Sequence, residues 1–459
     1  MVMEAVMVRA LVAIGLVFAA ACTQHNPGVC NSDADCPDPV ISFCDTNGEY
    51  PESGYTANRC SVKPASCPVS RCGCMPGESL ACAADQATVC GPDGMSSTME
   101  ACALGCAAAD PRCARFTPSN ELGSLTDDSA AQPDVSLPAG AKIDTELGIV
   151  RDSLGATIGV KSSFVSQNGG LSKIFVLEAH SFVIDAVTVT GSHALAFVST
   201  GPIAVRGRIA AAGAGVTSGP GGQEGPNGCI GIATQVGPPG CTLCGAQGAG
   251  GAGNATIGGV GGGANSIGGA GGGLQSAFDP LVGGCRGGSL YDTTGATVQN
   301  AGGGGGGAVQ LVSYASVKFT SVGFVAVGAG GGLPSSGGGS GGLVVIEAPV
   351  VTFEGAQTGV AANGGGGGAC NANGGDGTNN SVPATSPTCG AGESGGAGGT
   401  ATVAPQSAPG CTGGCVLTFY GGGGGAAGRL RIVTKDSGYS VVGNPGLNAV
   451  ISVATLQPN

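Results

Sequence analysis

Two serines stand in the pattern Gly-x-Ser-x-Gly, the turn that presents the nucleophile in many serine hydrolases. They are Ser340 and Ser394. Such a turn needs a strand before the serine, a helix after it and a histidine further along the chain. Neither flank has a helical pattern, no histidine follows His193, and His180 and Asp185 are close neighbours in sequence. We therefore expect no hydrolytic triad, because such matches arise by chance in glycine-rich sequence.

Paired carboxylates are the other chemistry to consider. Glycoside hydrolysis needs two facing carboxyl groups, and a polysaccharide lyase adds a base or a metal. Glu178 and Glu347 hold equivalent positions in a repeat of the chain, and so do Asp185 and Glu354, which predicts solvated side chains without a cluster. A β-helix polysaccharide lyase or glycoside hydrolase remains the alternative function. From Ile174 onward the acidic residues are Glu178, Asp185, Glu224, Asp279, Asp292, Glu347, Glu354, Asp376, Glu393 and Asp436.

Metal and cofactor motifs are weak. The stretch from Gly374 to Asn380 could offer oxygen ligands to calcium, but Asp376 is its only carboxylate, so a turn is the expected role. G-x-G-x-x-G recurs in the glycine runs without a strand–helix context, and no Gly-Lys-Ser/Thr follows it. The sequence predicts no catalytic residue, no metal and no cofactor.

These residues lie in a chain that is organised by a repeat of apolar positions. Val, Ile, Leu or Phe stand at positions 0, 2, 3, 8 and 10 of units that start at Ile174, Leu195, Val309 and Leu343. Apolar residues two apart share one face of a strand, so each unit predicts two short strands around a corner. The four starting residues form one predicted column, and the other positions form four more.

Units of this size favour a mainly β fold, a parallel β-helix or solenoid with long glycine-rich excursions. A small disulfide-rich module precedes it. A β-sandwich is the competing fold and would show antiparallel hairpins without shared columns. Weaker copies of the repeat, at Leu147 and Leu430, are candidates for closing the ends.

The predicted solenoid spans residues 141–459, with excursions at 211–307 and 363–428. Glycine runs stand just before the strands at Val309, Leu343 and Leu430, where glycine would permit a positive φ and close backbone approach. Each excursion contains four cysteines, which predicts two local disulfides in each. They are Cys229, Cys241, Cys244 and Cys285, then Cys370, Cys389, Cys411 and Cys415.

Residues 23–113 form a separate module with few large apolar residues, which disulfides must stabilise. Metal binding is the rival use of its cysteines, and their pairing is left open. Residues 114–140 read as an acidic linker. The cysteines of the module are Cys30, Cys36, Cys44, Cys60, Cys67, Cys72, Cys74, Cys82, Cys90, Cys102, Cys106 and Cys113.

Residues 1–22 read as a lipoprotein signal peptide. The run from Ala10 to Ala21 is apolar or small, is too short to span a bilayer and ends directly before Cys22. This end resembles the lipobox of bacterial lipoproteins, whose cysteine becomes the lipid-modified N-terminus. Cys22 is therefore the expected lipid attachment site, and a signal peptide cleaved elsewhere is the alternative. The resemblance implies an exported protein that a lipid anchors in the outer membrane or at the cell surface.

The charge of the chain argues against nucleic acid as a partner. The chain has 17 basic and 29 acidic residues, a net charge of −12, and no basic cluster. This pattern excludes nucleic acid as an expected partner. Besides Cys22, twelve cysteines fall in the N-terminal module and eight in the excursions, and both numbers are even, as in oxidised proteins.

The order of these parts is similar to that of a group of predicted myxobacterial-type surface lipoproteins. The most telling stretches run from Gly338 to Pro349, from Ala362 to Gly368 and from Gly421 to Val433. The resemblance covers nearly the whole chain and implies an architecture and a location without a reaction. We expect a non-catalytic surface lipoprotein of structural or adhesive type, which binds envelope or matrix polysaccharide or other surface proteins, or associates with itself.

Overall fold

The computed structural model describes residues 43–45, 59–61, 79–90, 97–107, 110–125, 132–167, 172–223, 229–235, 247–263, 268–389, 393–410 and 420–458. These residues are mainly β, and their one helical segment is a short 3-10 helix at Leu122–Leu125. The contacts between residues group the chain into two compact units. One unit consists of Met1–Leu80 and Val89–Thr98, and the other of Ala81–Thr88 and Met99–Asn459.

The strands β1 (Phe43–Asp45) and β2 (Arg59–Ser61) pair antiparallel, and β3 (Ser79–Ala83), β4 (Gln86–Cys90) and β5 (Ser97–Ala101) form a small sheet. The remaining strands are β6 (Val135–Leu137), β7 (Ala141–Asp144), β8 (Ile149–Arg151), β9 (Lys161–Gln167), β10 (Ser172–Ala179), β11 (Phe182–Ile184), β12 (Val187–Thr190), β13 (Ala194–Ser199), β14 (Ile203–Val205), β15 (Arg208–Ala210), β16 (Thr234–Gln235), β17 (Leu290–Tyr291), β18 (Val298–Asn300), β19 (Ala308–Ser313), β20 (Ser316–Phe319), β21 (Phe324–Ala326), β22 (Leu343–Glu347), β23 (Val350–Glu354), β24 (Gly359–Ala361), β25 (Arg429–Thr434), β26 (Ser440–Val442), β27 (Gly446–Asn448) and β28 (Val450–Thr455).

Three large sheets share most of these strands. Sheet A has the order β28-β25-β22-β19-β13-β10-β9, sheet B the order β26-β23-β20-β14-β11-β6, and sheet C the order β27-β24-β21-β15-β12-β7-β8. Neighbours run parallel, except for the antiparallel pairs β9–β10 and β7–β8. Consecutive strands such as β13, β14 and β15 belong to A, B and C in turn. Each such triplet therefore adds one strand to every sheet.

The main hydrophobic core takes side chains from all three sheets. Phe197 of sheet A, Phe319 of sheet B and Val325 of sheet C belong to one cluster and are fully buried. The rings of Phe319 and Phe353 stack at 4.5 Å between centroids, one strand apart. Stacked apolar columns of this kind are why β-branched and aromatic residues recur in the repeat.

The predicted columns of sheet B are confirmed by its strand register. Residues at positions 8 and 10 of the four units pair in succession along the sheet. Their side chains are buried in the core, so the alternation in these strands predicted the inward face correctly. The aligned sets are Phe182, Ile203, Val317 and Val351, and Ile184, Val205, Phe319 and Phe353.

The predicted columns of sheet A are wrong by one residue in two of the four units. Leu195 pairs with Val309 as predicted, but its partner on the other side is Phe175, where Ile174 was expected. The same slip separates Val309 from Leu343. A shift of one residue exchanges the two faces of a strand. The sequence could not fix the phase, because β10 and β22 are apolar and buried on both faces.

The repeat also predicts that Asp185 and Arg206, at position 11 of the units that start at Ile174 and Leu195, lie side by side on the solvent face. They follow the paired residues Ile184 and Val205. The N–H of Arg206 donates to the carbonyl of Ile184 at 2.7 Å, so the two positions are neighbours, and Val205 is fully buried as predicted. Their side chains do not pair: within the described chain neither takes part in an ion pair.

The outer face of sheet A is covered by a segment that precedes the sheets. Phe116 and Leu122 are buried in a second hydrophobic cluster together with Val176 and Val345 of sheet A. The hydroxyl of Tyr314 donates to the carbonyl of Phe116 at 3.2 Å. This cover explains why strands of sheet A are apolar on both faces.

The expected linker at residues 114–140 is therefore wrong in part. Its first residues pack on sheet A, and Val135–Leu137 form β6 of sheet B, so the sheets begin before residue 141. Residues 99–113 also belong to the contact unit of the sheets, because Leu104 contributes its side chain to the second cluster. Residues 99–113 of the expected Cys-rich module therefore group with the sheets and not with residues 1–80.

Glycine-rich segments outside the strands form one hydrogen-bonded assembly, here called the glycine bundle. In its segment 337–342, the N–H groups of residues 337 and 340 donate to carbonyl groups of residues 285–288. Those of residues 338 and 341 donate to residues 423–426, and those of residues 339 and 342 donate to residues 327–330. Every third N–H group thus donates to the same neighbouring segment. This three-residue period is that of the polyproline II helix. The bundle comprises residues 229–232, 247–262, 268–275, 283–288, 302–307, 327–342, 362–377, 395–400 and 421–428.

At most glycines of the bundle, neighbouring backbone leaves no room for a side chain. A Cβ at Gly337 or Gly424 would overlap the carbonyl oxygen of Gly250 or Ala397. The predicted close approach of backbones is thus confirmed, but the predicted positive φ is wrong, since no glycine in the runs before β19, β22 and β25 has one. Polyproline II segments need a φ near −75°, not a left-handed turn. Residues 327–342 form a third excursion, which the sequence did not distinguish.

Candidate functional site

The structure does not assemble the serine motifs into a catalytic site. The hydroxyl of Ser340 accepts a hydrogen bond from the N–H of Cys285 at 2.8 Å, and that of Ser394 accepts one from the N–H of Cys389 at 3.0 Å. Ser340 is fully buried in the glycine bundle. Both hydroxyls thus stabilise backbone in the glycine-rich excursions, and neither has a histidine partner within the described chain.

His180 has a carboxylate partner, which is Asp134 and not the nearby Asp185. Its Nδ1 lies 2.8 Å from Oδ1 of Asp134, which also accepts a hydrogen bond from the hydroxyl of Ser181 at 2.6 Å. The bond from Ser181, and then that from His180, lowers the pKa of Asp134. Ser181 donates to the acid and not to the imidazole, so this exposed group lacks the serine–histidine hydrogen bond of a catalytic triad.

Glu178 and Glu347 are buried, which corrects the prediction that they are solvated. Glu178 forms an ion pair with Lys161 at 3.1 Å. Glu347 accepts hydrogen bonds from the N–H of Ser119 at 3.1 Å and from Nε2 of Gln310 at 2.8 Å, and burial raises its pKa. The cover on the outer face of sheet A excludes water from this position of the repeat.

The spacing of these two acids does not suit glycoside hydrolysis. Glu178 and Glu347 do hold equivalent positions, but two strands separate them in the ladder. Three strand spacings place them about 14 Å apart, whereas catalytic pairs are roughly 5–9.5 Å apart. Of the other pair, Glu354 binds Lys318 at 2.8 Å on the surface.

Asp376 connects two backbone segments. Its Oδ1 accepts hydrogen bonds from the N–H groups of Gly215 and Gly331 at 2.8 and 2.9 Å. These hydrogen bonds favour the predicted role in a turn and not calcium binding, because N–H donors already occupy this carboxylate oxygen.

Among the described residues, one group of three cysteines is close enough to share a metal, but disulfides occupy Cys82, Cys102 and Cys106.

A groove on the outer face of sheet C is the best candidate for a binding site. It is open to solvent, its volume is 690 Å³, and its lining combines amides, hydroxyls, one guanidinium and one aromatic ring without any carboxylate. The sequence did not predict it. Its lining residues are Arg208, Val322, Phe324, Ala356, Gln357, Thr358, Asn379, Asn380, Ser381, Asn444, Pro445, Gly446, Leu447 and Asn448.

The floor of the groove is a row across sheet C. Arg208 pairs with Phe324, Phe324 with Gly359, and Gly359 with Gly446. The residues that follow, such as Val325 and Val360, point into the core, so alternation directs this row outward. Two glycines beside Phe324 leave one side of the floor flat. A ring of a ligand could lie there beside the aromatic side chain.

One wall of the groove is held by the second glycine-rich excursion. Nδ2 of the buried Asn363 donates to the carbonyl oxygens of Thr378 and Asn380, at 2.9 Å in the first case. The guanidinium of Arg208 donates to Oδ1 of Asn379 at 3.2 Å. The glycine bundle thereby fixes a loop of exposed amides above the strands.

The charge and free donors of the groove define what it can bind. Partial burial lowers the pKa of Arg208, whose charge has no carboxylate partner in the described chain. The side chains of Gln357 and Asn444 make no hydrogen bond within that same part of the molecule. Amides, a hydroxyl and one aromatic face suit a polyhydroxylated ligand, and the single positive charge suits a neutral or anionic one.

Disulfides occur within each cysteine-rich part of the chain. Cys82 joins Cys106, Cys102 joins Cys113, Cys229 joins Cys285, and Cys370 joins Cys389. Each bridge stays within one segment, as predicted. Cys90 is also in a disulfide, and Cys44 is the backbone partner of Cys60 in the register of β1 and β2.

The remaining cysteines lie outside the described residues. They are Cys22, Cys30, Cys36, Cys67, Cys72, Cys74, Cys241, Cys244, Cys411 and Cys415. The predicted lipid attachment at Cys22 and the signal peptide at residues 1–22 lie outside them as well. Across the residues that the structure describes, there is no helix with the length and apolar character needed to cross a membrane.

Comparison with known proteins adds no relative: no family model, no curated protein and no solved structure matches the chain.

Proposed function

We propose that this protein is a non-catalytic, exported surface protein that binds polysaccharide in the groove on sheet C. The observation that carries the proposal is the lining of the groove, where exposed amides and Arg208 surround Phe324 on a flat floor. Sugar hydroxyls both donate and accept hydrogen bonds, and amide side chains offer both partners. An open groove admits a chain that continues beyond the site at both ends.

The three sheets support a solenoid as the scaffold of this site. In this proposal sheets A, B and C are the three faces of a parallel β-helix, and each triplet of strands is one turn. Three observations support it: the parallel order, the visits to A, B and C in turn, and the single core that all three sheets share. Rigid strands would then hold the floor of the groove while loops vary above it.

The separation of the buried carboxylates supports binding over hydrolysis. Glu178 and Glu347 lie beneath a packed cover, and each is already engaged by a cation or by hydrogen-bond donors. The groove itself contains no carboxylate that could serve as an acid or a base. A lyase or hydrolase remains the alternative, and turnover of a polysaccharide would establish it.

A lipid anchor at Cys22 completes the proposal. The small residues before Cys22 and the disulfides in the chain support export into an oxidising compartment. A lipid there would attach the protein to the outer membrane or cell surface. If so, Cys22→Ser should leave the protein without lipid, and it should be released or accumulate as a precursor. Incorporation of labelled lipid into Cys22→Ser would contradict the anchor.

The binding proposal is tested by screening neutral and acidic polysaccharides against the exported chain, followed by affinity measurements on variants. Phe324→Ala and Asn444→Ala should each weaken binding by about tenfold, or 1.4 kcal/mol, because each removes a group that faces the ligand. Phe164→Ala is the matched control, since Phe164 is also a partly exposed ring on an outer strand. Release of new reducing or unsaturated ends during the assay would contradict the non-catalytic function.

A further inference from the structure

The strands that end sheets A, B and C on one side lie next to one another in sequence. They are β26, β27 and β28, and among the described residues no strand pairs with their outer edges. The free edge of a strand presents unpaired N–H and C=O groups, which another strand can satisfy. We call these three edges together the terminal edge.

Core side chains are uncovered at the terminal edge. Val441 aligns with the core residue Phe353, and Val453 with the core residue Ile432, so both valines point inward. Nevertheless Val441 is 44% exposed and Val453 is 48% exposed. At the opposite ends of the sheets the inward residues are covered: Leu137 of β6, the last strand of sheet B, is fully buried.

The two ends of the sheets also differ in strand direction. At the end opposite the terminal edge, the antiparallel strands β8 and β9 close sheets C and A. Ile158 and Val160 pack against the core there. Sheet B ends there in β6, which runs parallel to β11. A second copy stacked head to tail would therefore meet antiparallel strands in two of the three sheets, whereas its own terminal edge offers the same three uncovered strands.

The terminal edge carries no charge. Residues 440–455, which contain its three strands, include no Asp, Glu, Lys or Arg, although the whole chain has a net charge of −12. Natural proteins commonly protect free edges with lysine or other charges, and this edge has none. Two copies that repel each other elsewhere can approach at this uncharged surface.

We propose that two copies of this chain associate through the terminal edge, related by a two-fold axis. The axis makes paired edge strands antiparallel, so that N–H groups of one copy meet C=O groups of the other. The half-exposed Val441 and Val453 become buried in a core that continues from one copy into the next. Because each edge is used up, the assembly stops at the dimer.

The dimer also places two grooves near each other. Asn444 to Asn448 line the groove and precede or form β27, one of the paired edges. One polysaccharide chain can then engage both grooves, which raises its apparent affinity. This consequence rests on the proposed function, whereas the dimer itself does not.

Sedimentation equilibrium of the exported full chain, with Cys22→Ser so that no lipid aggregates it, tests the dimer directly. The expected mass is twice that of one chain, falling to the monomer mass in Val453→Lys, with association weakened at least tenfold. Val298→Lys is the matched control, because Val298 is 46% exposed on β18, away from the terminal edge, and it should remain dimeric.

A second variant keeps the test decisive if Val453→Lys does not fold. Val442 is 57% exposed and pairs with the outward residue Glu354, so Val442→Lys leaves the core intact and should also give monomers. A monomeric parent protein would overturn the proposal, and so would dimers of unchanged strength in a folded Val453→Lys or Val442→Lys. Glycan binding does not enter these measurements, so failure of the groove and failure of the dimer are distinguishable.

Discussion

At the scale of single residues, the fold depends on two kinds of position. At one kind, neighbouring backbone leaves no room for a side chain; at the other, a polar side chain is buried away from water. Glycines in the bundle are of the first kind, because carbonyl groups of neighbouring segments occupy the space of a Cβ. Glu347 is of the second kind, since Ser119 and Gln310 replace its water. These two kinds of position lead to opposite forms of sensitivity, one to added volume and one to pH.

Gly424→Ala should destabilise the protein by about 3 kcal/mol or more, because its new methyl group would overlap the carbonyl oxygen of Ala397. Gly159→Ala is the control, since a Cβ there meets nothing within 4 Å. Denaturant unfolding of both variants measures the difference. Equal stability of Gly424→Ala and Gly159→Ala would show that the bundle is not close-packed.

Glu347 makes stability depend on pH in a defined direction. Burial raises the pKa of its carboxyl group, against the smaller opposing effects of Ser119, Gln310 and Arg431. An acid with a raised pKa contributes fully below its unfolded pKa, and its contribution is lost as pH rises through the folded pKa. Relative to the parent, Glu347→Gln should therefore gain stability as the pH rises above about 4.3, the pKa of the carboxyl group in the unfolded chain.

Denaturant unfolding at several pH values measures this difference, with Glu354→Gln as the control on the surface. Glu354 is half exposed and paired with Lys318, so its substitution should change stability by at most about 1 kcal/mol. A constant difference between Glu347→Gln and the parent across the pH range would contradict the buried, raised-pKa carboxyl group.

At the scale of elements, the register of sheet B places Val205 in the core and Arg206 on the surface. Val205→Asp would bury a carboxylate without a partner and should cost more than about 4 kcal/mol, which prevents folding. Arg206→Asp puts the same group one residue further along, in solvent, and should fold. Circular dichroism and the yield of exported protein distinguish them. A folded Val205→Asp would contradict the register.

How far the sequence predicts these elements depends on whether the two faces of a strand differ. The columns through Phe182 and Ile184 were predicted correctly, because the strands of sheet B alternate. In β10 both faces are apolar, so periodicity found the strand but not its phase. That second apolar face reflects a cover by Phe116 and Leu122, which only the folded chain reveals.

The glycine bundle and the groove were not predictable from residue patterns. Hydrogen bonds in the bundle repeat every three residues, but a run of glycine looks the same in every register, so no period appears in the residue types. The groove brings together Arg208, Asn379 and Asn448 from distant parts of the chain. Only the register of sheet C and the fixed loop at Asn379 make them neighbours.

At the scale of the whole molecule, disulfides close loops within the glycine-rich excursions, whose backbone also forms the glycine bundle. Removing the bridge between Cys229 and Cys285 by a double Ala substitution should cost roughly 4 kcal/mol, given its sequence separation of 56 residues. Thermal unfolding of the oxidised variant and parent measures the loss. A difference near zero would mean that the bundle already holds these ends together without the bridge.

The most direct test of the account asks whether polysaccharide lies against Phe324. The chain contains no tryptophan, so Phe324→Trp introduces a single, selectively excitable tryptophan on the floor of the groove, and Phe164→Trp introduces one elsewhere. Titration with a bound polysaccharide should shift the emission of Phe324→Trp to shorter wavelength, saturably, and leave that of Phe164→Trp unchanged. Unchanged emission of Phe324→Trp at concentrations that saturate binding would show that the ligand binds elsewhere, and would contradict the proposed function.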